Sequence, residues 1–189
     1  EKANATRQRA IVDADRSEQT LLRALGLENW QPPEPLTYTR SSRDAFAAGR
    51  LDAEYFYPAK QAALDILAAL PGRTVGEMFQ PILDLWQPED APPNMLVRNY
   101  DLTNALTPFL DNTTDPVSPD SIESTKKRIQ KGDLVVSRLR SYLREIAIVL
   151  DGGATPMVAS TEFIILRQKA DSIRVEALLI YLRSILPQL

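Results

Sequence analysis

A cluster of prolines near the start of the chain sets the first limit on its fold. Three of the four residues from 32 to 35 are proline, within NWQPPEPLTYTR (residues 29–40). Proline fixes φ and lacks a backbone N–H, so this segment excludes a helix and favours an extended linker. The preceding residues 1–25 contain neither Pro nor Gly, and Gly26 follows them. The sequence therefore predicts a helical arm that ends at Gly26 and a linker after it.

The residues after the linker predict short helices. Residues 58–70 fit a helix with Pro in its first turn. Its predicted packing face is Leu64, Leu67 and Ala68. Thr74 is predicted to cap another short helix, with Glu77 as its capping-box partner. Four aromatic residues are expected in the core: Phe46, Tyr55, Phe56 and Tyr57.

Beyond residue 126 the sequence becomes rich in Val and Ile. Its apolar runs predict short strands at 133–137, 145–150 and 162–167, and MLVRNYDL (95–102) predicts another. QPEDAPPN and DNTTDPVSPDS, on either side of that last strand, have the composition of loops. Residues 173–186 fit a strongly amphipathic helix. We therefore expect an α+β fold with a leading helix arm and a C-terminal amphipathic helix.

The absence of two residue types excludes most catalytic sites. The 189 residues include no Cys and no His, which removes disulfides, thiol nucleophiles, the commonest general base and the commonest zinc ligand. Neither a GxxxxGK[ST] loop nor a GxGxxG pattern is present. The acidic residues lack the spacing of a calcium loop. We therefore expect no catalytic residue, no cofactor and no metal in this chain.

The chain also lacks an apolar run long enough to span a membrane, and it shows no signal peptide. Together with the missing cysteines, this predicts a cytoplasmic protein. Because residue 1 is Glu rather than Met, we expect the chain to be part of a longer protein.

Charge is distributed unevenly along the chain. Residues 1–125 hold 11 basic and 19 acidic residues, whereas residues 126–189 hold 11 basic and 6 acidic ones. A basic half favours a polyanionic partner, although the two halves could also simply neutralise each other.

The basic residues concentrate in one segment, STKKRIQKGDLVVSRLRSYLREIAIV (124–149). Residues 131–133 are predicted to form a turn that leads into a strand. Residues 138–144 are predicted to form the tip between that strand and the return strand. Such a tip could present arginine to guanine O6 and N7 while neighbouring groups contact phosphates. The alternative is a solvated hairpin whose basic residues pair with the acidic loops at 84–120.

Four segments of the chain resemble the specificity subunits of type I restriction–modification systems. They are LLRALGLENW with PPEPLTY, GRLDAEYFYP (49–58), KRIQKGDLVVSRLRSYLREIAIV (127–149), and VASTEFIILRQK (158–169) with EALLIYLRSIL (176–186). The resemblance implies a spacer-helix arm (1–28), a Pro-rich linker (29–48), a target recognition domain with a twisted mixed β-sheet (49–172) and the start of a conserved helix (173–189). Residues 80–122 match nothing in the pattern.

The resemblance also implies a function. Such a subunit reads one half of a split double-stranded DNA target with each recognition domain. It positions a methyltransferase subunit, which uses S-adenosylmethionine, and a restriction subunit, which uses ATP. Only one recognition domain is present here, so the chain is expected to read one half-site, and its end helices could also pair between copies.

Residue roles follow by matching. The residues expected to contact the DNA backbone are Lys126, Lys127, Arg128 and Lys131. Those expected to reach the groove are Arg138, Arg140, Ser141, Tyr142 and Arg144. A second base-reading edge is predicted at Arg98, Asn99 and Tyr100, which could instead form a turn. Ser160 and Thr161 could bind phosphate or only satisfy backbone groups.

Two other functions fit the sequence. The end helices and the basic strand region could form a protein-interaction scaffold without specific DNA binding. The chain could also be a recognition domain fused to a methyltransferase that precedes Glu1.

Overall fold

The structure is a computed structural model, and it describes residues 2–92, 94–110, 113–139, 143–150 and 153–184. These residues have an α+β fold, as the sequence predicts, but their strands form two mixed sheets rather than one. They divide into two compact units, one within Glu1–Gly72 and one within Arg73–Arg183. The predicted recognition domain, residues 49–172, therefore spans the division. Among the described residues, every helix is too short or too polar to cross a bilayer.

The first unit contains three helices. They are α1 (Lys2–Ala24), α2 (Ser42–Ala48) and α3 (Pro58–Ala69). The end of α1 confirms the predicted stop, because Gly26 adopts a left-handed φ of 71°. Its N–H donates to the carbonyl of Arg23 at 3.0 Å, and the N–H of Leu27 donates to Leu22 at 2.7 Å. This pair of bonds is the Schellman motif, for which glycine is the preferred residue.

Helix α2 lies inside the segment predicted to be a linker. Ser41 caps it by accepting a hydrogen bond from the N–H of Asp44 at 3.1 Å, and Gly49 ends it with a φ of 65°. The extended part of the linker is therefore shorter than predicted, because a good N-cap begins a helix only six residues after the last proline. The hydroxyl of Tyr38 donates to the carbonyl of Ala53 and so ties the extended part to the residues after α2.

The packing face predicted for α3 is wrong. Ala59 and Ala63 are buried, whereas Leu64 is 47% exposed. Residues four apart lie on one helical face, so the buried stripe follows the two alanines. The aromatic prediction is only partly right: Phe56 is buried, but Phe46 is 75% exposed.

The second unit is built from two sheets and two helices. Its elements are α4 (Val75–Met78), β1 (Phe79–Ile82), β2 (Leu85–Trp86), β3 (Arg98–Tyr100), β4 (Phe109–Leu110), β5 (Lys126–Ile129), β6 (Leu134–Ser137), β7 (Ile146–Val149), β8 (Met157–Ser160), β9 (Phe163–Gln168) and α5 (Val175–Arg183). One sheet has the order β1-β9-β6-β7-β4 and the other β2-β5-β8-β3. Pairing is antiparallel except for β3 with β8 and β4 with β7.

Side-chain alternation along the strands creates two cores around the five-stranded sheet. Val135, Ala147 and Ile165 face a core shared with the four-stranded sheet. Leu134 and Ile148 face the opposite way and pack with residues of α5. Because successive strand residues point to opposite faces, the strongly apolar sequences of β6 and β7 mark strands buried on both sides.

The sequence located about half of the strands of this unit. The predictions of β3, β6, β7, β9, α4 and α5 are confirmed, with α5 followed to Arg183. The capping box of α4 is also confirmed, since Thr74 and Glu77 exchange both hydrogen bonds. Strands β1, β2, β4, β5 and β8 were not predicted. Strands β2 and β4 have only two residues, β1 contains Pro81, β5 reads KKRI and β8 reads MVAS, so none shows a run of strand-forming residues.

Candidate nucleic-acid interface

The termini of four strands bring several predicted site residues to one end of the second unit. Ser137 lies opposite Phe163 in register, and Lys126 lies opposite Ser160. The described residues of the segment 138–145, between β6 and β7, therefore lie beside Thr161–Glu162, the turn between β8 and β9. We call these the β6–β7 tip and the β8–β9 turn. Of the tip, Arg140, Ser141 and Tyr142 lie outside the described residues.

Arg138 joins the tip to the turn. Its backbone N–H donates to the carbonyl of Glu162 at 3.1 Å. Its guanidinium Nη2 lies 3.2 Å from Oε2 of the same residue. The two side chains remain 55% and 40% exposed, respectively. The backbone of Arg138 is therefore fixed by a hydrogen bond, while its guanidinium remains accessible to solvent. Glu162 was not singled out from the sequence.

Lys127, on β5, is hydrogen-bonded to the same turn. It is buried, and its Nζ donates to the carbonyls of Thr161 at 2.9 Å and Phe163 at 2.6 Å. Burial lowers the pKa of this ammonium group, and the positive charge of Arg138 lowers it further. The expected contact between Lys127 and the DNA backbone is therefore not supported. This lysine instead anchors the β8–β9 turn.

The other two basic residues of β5 pair with acidic loops. Nζ of Lys126 lies 3.1 Å from Oδ1 of Asp101, and Nη1 of Arg128 lies 3.0 Å from Oδ1 of Asp84. Both carboxylates lie in the range 84–120, so for these two residues the alternative of a hairpin paired with acidic loops fits the structure. Lys126 is buried, whereas the Arg128 side chain is 52% exposed.

The Gly-Asp turn between β5 and β6 lies at the opposite end of β6 from the tip. Gly132 has a left-handed φ of 86°, and Oδ2 of Asp133 accepts from the N–H of Gln130 at 2.9 Å. Lys131 belongs to this turn and is thus separated from Arg138 by the length of β6. The structure does not bring Lys131 together with the tip residues.

Asp133 also has a partner that the sequence did not reveal. Its carboxylate is completely buried and accepts from Nε of Arg167 at 2.7 Å and from Nη2 at 2.9 Å. These hydrogen bonds raise the pKa of the Arg167 guanidinium. The Asp of the Gly-Asp pair is therefore structural, since it ties the turn to β9.

Arg183, on the last turn of α5, supports the other side of the tip. Its Nη1 donates to the carbonyls of Arg144 and Ile146, at 2.8 Å in each case, and its Nη2 donates to Leu106 at 3.0 Å. Burial, and then the charge of Arg144, lower the pKa of this guanidinium. Arg144 itself has a left-handed φ of 51°. Its backbone is thus held in an unusual conformation by Arg183.

The predicted second base-reading edge does not form on β3. Tyr100 is 1% exposed and packs between the two sheets. The guanidinium of Arg98 donates to the carbonyl of Thr114, and Oδ1 of Asn99 is buried. Alternation on this short strand places Arg98 and Tyr100 on one face and Asn99 on the other. The buried Tyr100 is therefore not available to a base, and residues 98–100 form a strand rather than the alternative turn.

Ser160 and Thr161 form part of the β8–β9 turn. The hydroxyl of Ser160 accepts from the N–H of Glu162 at 3.3 Å, and the carbonyl of Thr161 accepts from Lys127. Both residues thus satisfy local backbone and side-chain groups, one of the two roles expected for them. Their half-buried side chains still border the tip.

In the part of the chain that the structure describes, no group of three or more acidic residues is arranged to hold a metal ion. The sequence matches no protein-family model and no curated protein. Function is therefore inferred from the residues and their geometry.

Proposed function

We propose that this chain is a sequence-specific double-stranded DNA recognition module of a type I restriction–modification specificity subunit. The observation that carries the proposal is the mounting of Arg138. Its side chain is more than half exposed. Its backbone N–H is hydrogen-bonded to Glu162 in the β8–β9 turn, at the end of a sheet that is packed on both faces. An arginine held in this way can reach a groove without ordering a flexible loop first.

The distribution of family-like sequence supports the proposal. The segments 127–149 and 158–169 contain nearly all of β5, β6, β7, β8 and β9. These are the interior strands of both sheets. The edge strands β1 to β4 come from residues 79–110, which mostly belong to the part without resemblance. Interior strands that resemble the family, with edge strands that do not, are what we expect of a family whose members read different DNA targets.

Within this function, the β6–β7 tip enters the groove and the β8–β9 turn supports it. Arg138 and Arg144 contribute charge at the tip, and Arg140, Ser141 and Tyr142 remain predicted contacts. Lys127 holds the turn and Lys126 pairs with Asp101, so neither is assigned to the DNA. The chain reads one half-site and supplies no catalytic group. Methylation with S-adenosylmethionine and ATP-driven restriction belong to partner subunits, which we expect to dock through helices such as α1.

A protein-interaction scaffold is the second candidate function. The ion pairs of Lys126 with Asp101 and of Arg128 with Asp84 favour it, because they neutralise part of the basic segment within the unit. A scaffold of this kind pairs with a partner through its end helices, and its remaining basic residues contact an acidic protein surface without preference for duplex DNA. The two functions therefore differ in sequence preference and in the dependence of binding on the tip arginines.

The deciding experiment is fluorescence anisotropy on a randomised duplex pool across a salt series. The variant carries Arg138→Ala, Arg140→Ala and Arg144→Ala. A matched control carries Arg16→Ala, Arg43→Ala and Arg174→Ala, which remove the same charge from exposed positions elsewhere. We expect the tip variant to lose binding and the control to keep it.

The salt series adds a second readout. Each phosphate contact contributes about −0.9 to the slope of log K against log salt, so the tip variant should also show a shallower slope. Equal losses in both triple variants would show that only net charge matters. No binding of the unmodified chain at low salt, with the protein folded, would overturn DNA recognition by this chain alone and favour the scaffold.

A further inference from the structure

We propose that Arg138 and Glu162 together read one G·C base pair in the major groove. The proposal rests on the DNA-recognition function above and adds two things to it. It assigns a carboxylate a direct role in base reading, and it names the base pair that the half-site contains.

The spacing of the two side chains is the first support. Nη2 of Arg138 and Oε2 of Glu162 are 3.2 Å apart, and both side chains reach solvent. The contact uses one of the five donors of the guanidinium. An arginine with a carboxylate at its side thus presents several donors next to an acceptor.

The rigidity of the mount is the second support. The N–H of Arg138 donates to the carbonyl of Glu162 at 3.1 Å, so the two residues are joined by backbone as well as by side chain. The N–H of Glu162 is held by the hydroxyl of Ser160, and Lys127 holds the carbonyls on either side of Glu162. The pair therefore keeps its spacing when a ligand approaches.

The pattern of the base edges selects the base pair. In the major groove guanine presents N7 and O6 as acceptors, and cytosine presents the N4 amino group as a donor. O6 and N4 are adjacent because they bond to each other in the pair. Guanidinium donors fit N7 and O6, and the neighbouring carboxylate fits N4. An A·T pair in the same orientation presents a donor at adenine N6 and an acceptor at thymine O4, which opposes both groups. The reversed T·A pair presents O4 and N6 in the matching order, but it has the thymine methyl group where guanine has the N7 acceptor.

An ordinary surface ion pair in the same unit offers a comparison. Arg174 and Glu176 are 3.1 Å apart, but their side chains are 83% and 48% exposed and lie two residues apart at the start of α5. No backbone bond between them is found among the described residues. The pair of Arg174 with Glu176 is therefore a suitable control for the pair of Arg138 with Glu162.

The test begins with selection of bound duplexes from a randomised pool by the unmodified chain. Anisotropy then compares single-position variants of the selected duplex for five proteins: the unmodified chain, Arg138→Ala, Glu162→Gln, Arg174→Ala and Glu176→Gln. We expect one G·C position at which the unmodified chain discriminates about 10- to 100-fold. Arg138→Ala and Glu162→Gln should lose this discrimination at that position only, and both controls should keep it.

A modified base provides a readout that does not depend on protein folding. Replacing guanine by 7-deazaguanine at the same position removes the N7 acceptor. It should weaken binding of the unmodified chain and leave the residual binding of Arg138→Ala unchanged. Thermal unfolding of each variant shows whether a loss comes from the fold.

Three results would overturn the inference. Stronger binding of Glu162→Gln to all duplexes would mean that the carboxylate only repels phosphates. A uniform loss by Arg138→Ala would mean a phosphate contact. Either result would leave the proposed function intact. Selection that yields no preferred sequence at all would instead remove the proposed function, and this inference with it.

Discussion

Arg167 on β9 holds the buried carboxylate of Asp133 by two parallel hydrogen bonds, of 2.7 and 2.9 Å. The same carboxylate closes the turn before β6 through the N–H of Gln130. A residue that sequence patterns place in a simple turn therefore links that turn to a neighbouring strand across the sheet.

The first prediction follows from this link. Arg167→Ala leaves a buried carboxylate without its cation and should lower the free energy of unfolding by about 3 kcal/mol. Urea denaturation measures the change. Glu176→Ala breaks the exposed pair with Arg174 and should cost less than about 1 kcal/mol. Equal effects of the two variants would contradict a special role for the buried pair.

The second prediction concerns Arg183. Arg183→Lys replaces a planar fork by a compact ammonium group that cannot reach the carbonyls of Leu106, Arg144 and Ile146 together. We expect a loss of about 1–3 kcal/mol in unfolding free energy, because buried carbonyls lose their donor. Urea denaturation measures it, and amide hydrogen exchange should show faster exchange around residues 143–146. Unchanged exchange there would show that Arg183 does not hold the tip.

The third prediction separates anchoring from DNA contact at Lys127. Lys127→Met keeps the apolar stem but removes two hydrogen bonds, so it should destabilise the unit by about 1–3 kcal/mol. At a temperature where the variant is folded, the salt slope of DNA binding should be unchanged, because each phosphate contact contributes about −0.9 to that slope and Lys127 makes none. A shallower slope for Lys127→Met would instead place its charge on the DNA.

The fourth prediction is a pH dependence at the cap of α4. Hydrogen bonds from the backbone N–H and hydroxyl of Thr74 lower the pKa of Glu77. A lowered carboxyl pKa stabilises the fold above the ordinary value of about 4.5, and this contribution disappears as pH falls through the folded-state value. The stability difference between the unmodified chain and Glu77→Gln should therefore shrink as pH falls from 7 to 3.

The control for this experiment is Glu123→Gln, since Glu123 is exposed. It removes one exposed carboxylate without touching the capping box, so it corrects the comparison for the loss of a charge. A Glu77→Gln difference that stays constant over the pH range would show that the capping box does not depend on the charge of Glu77.

Strands β6, β7 and β9 could be predicted because their sequences carry the signal directly. Leu134, Val135 and Ile148 belong to short Val- and Ile-rich runs, which are typical of strands buried on both faces. Strand β2 could not be predicted, because its two residues, Leu85–Trp86, have no period to detect. The helix at 42–48 was missed because the nearby prolines outweighed the N-cap at Ser41.

The sequence predicted which basic residues lie at the candidate site, but not which residues they contact. The tip position of Arg138 follows from the strands on either side of it. Its partner Glu162 comes 24 residues later, and only the register of β6 with β9 brings them together. The buried positions of Lys127 and Tyr100 were likewise invisible in the sequence, because a charged or polar residue gives no local sign of which sheet face it occupies.

The pairing of β1 with β9 has a consequence for how the chain is made. Ile82 pairs with Ile165, so β1 leaves the ribosome more than eighty residues before its only neighbour in the described sheet. At about 5–20 residues per second, that interval lasts roughly 4–17 s. During it Phe79, which is 1% exposed in the finished protein, has no sheet to enter. The apolar segment around Phe79 therefore stays without its strand partner for several seconds of synthesis, until β9 is made.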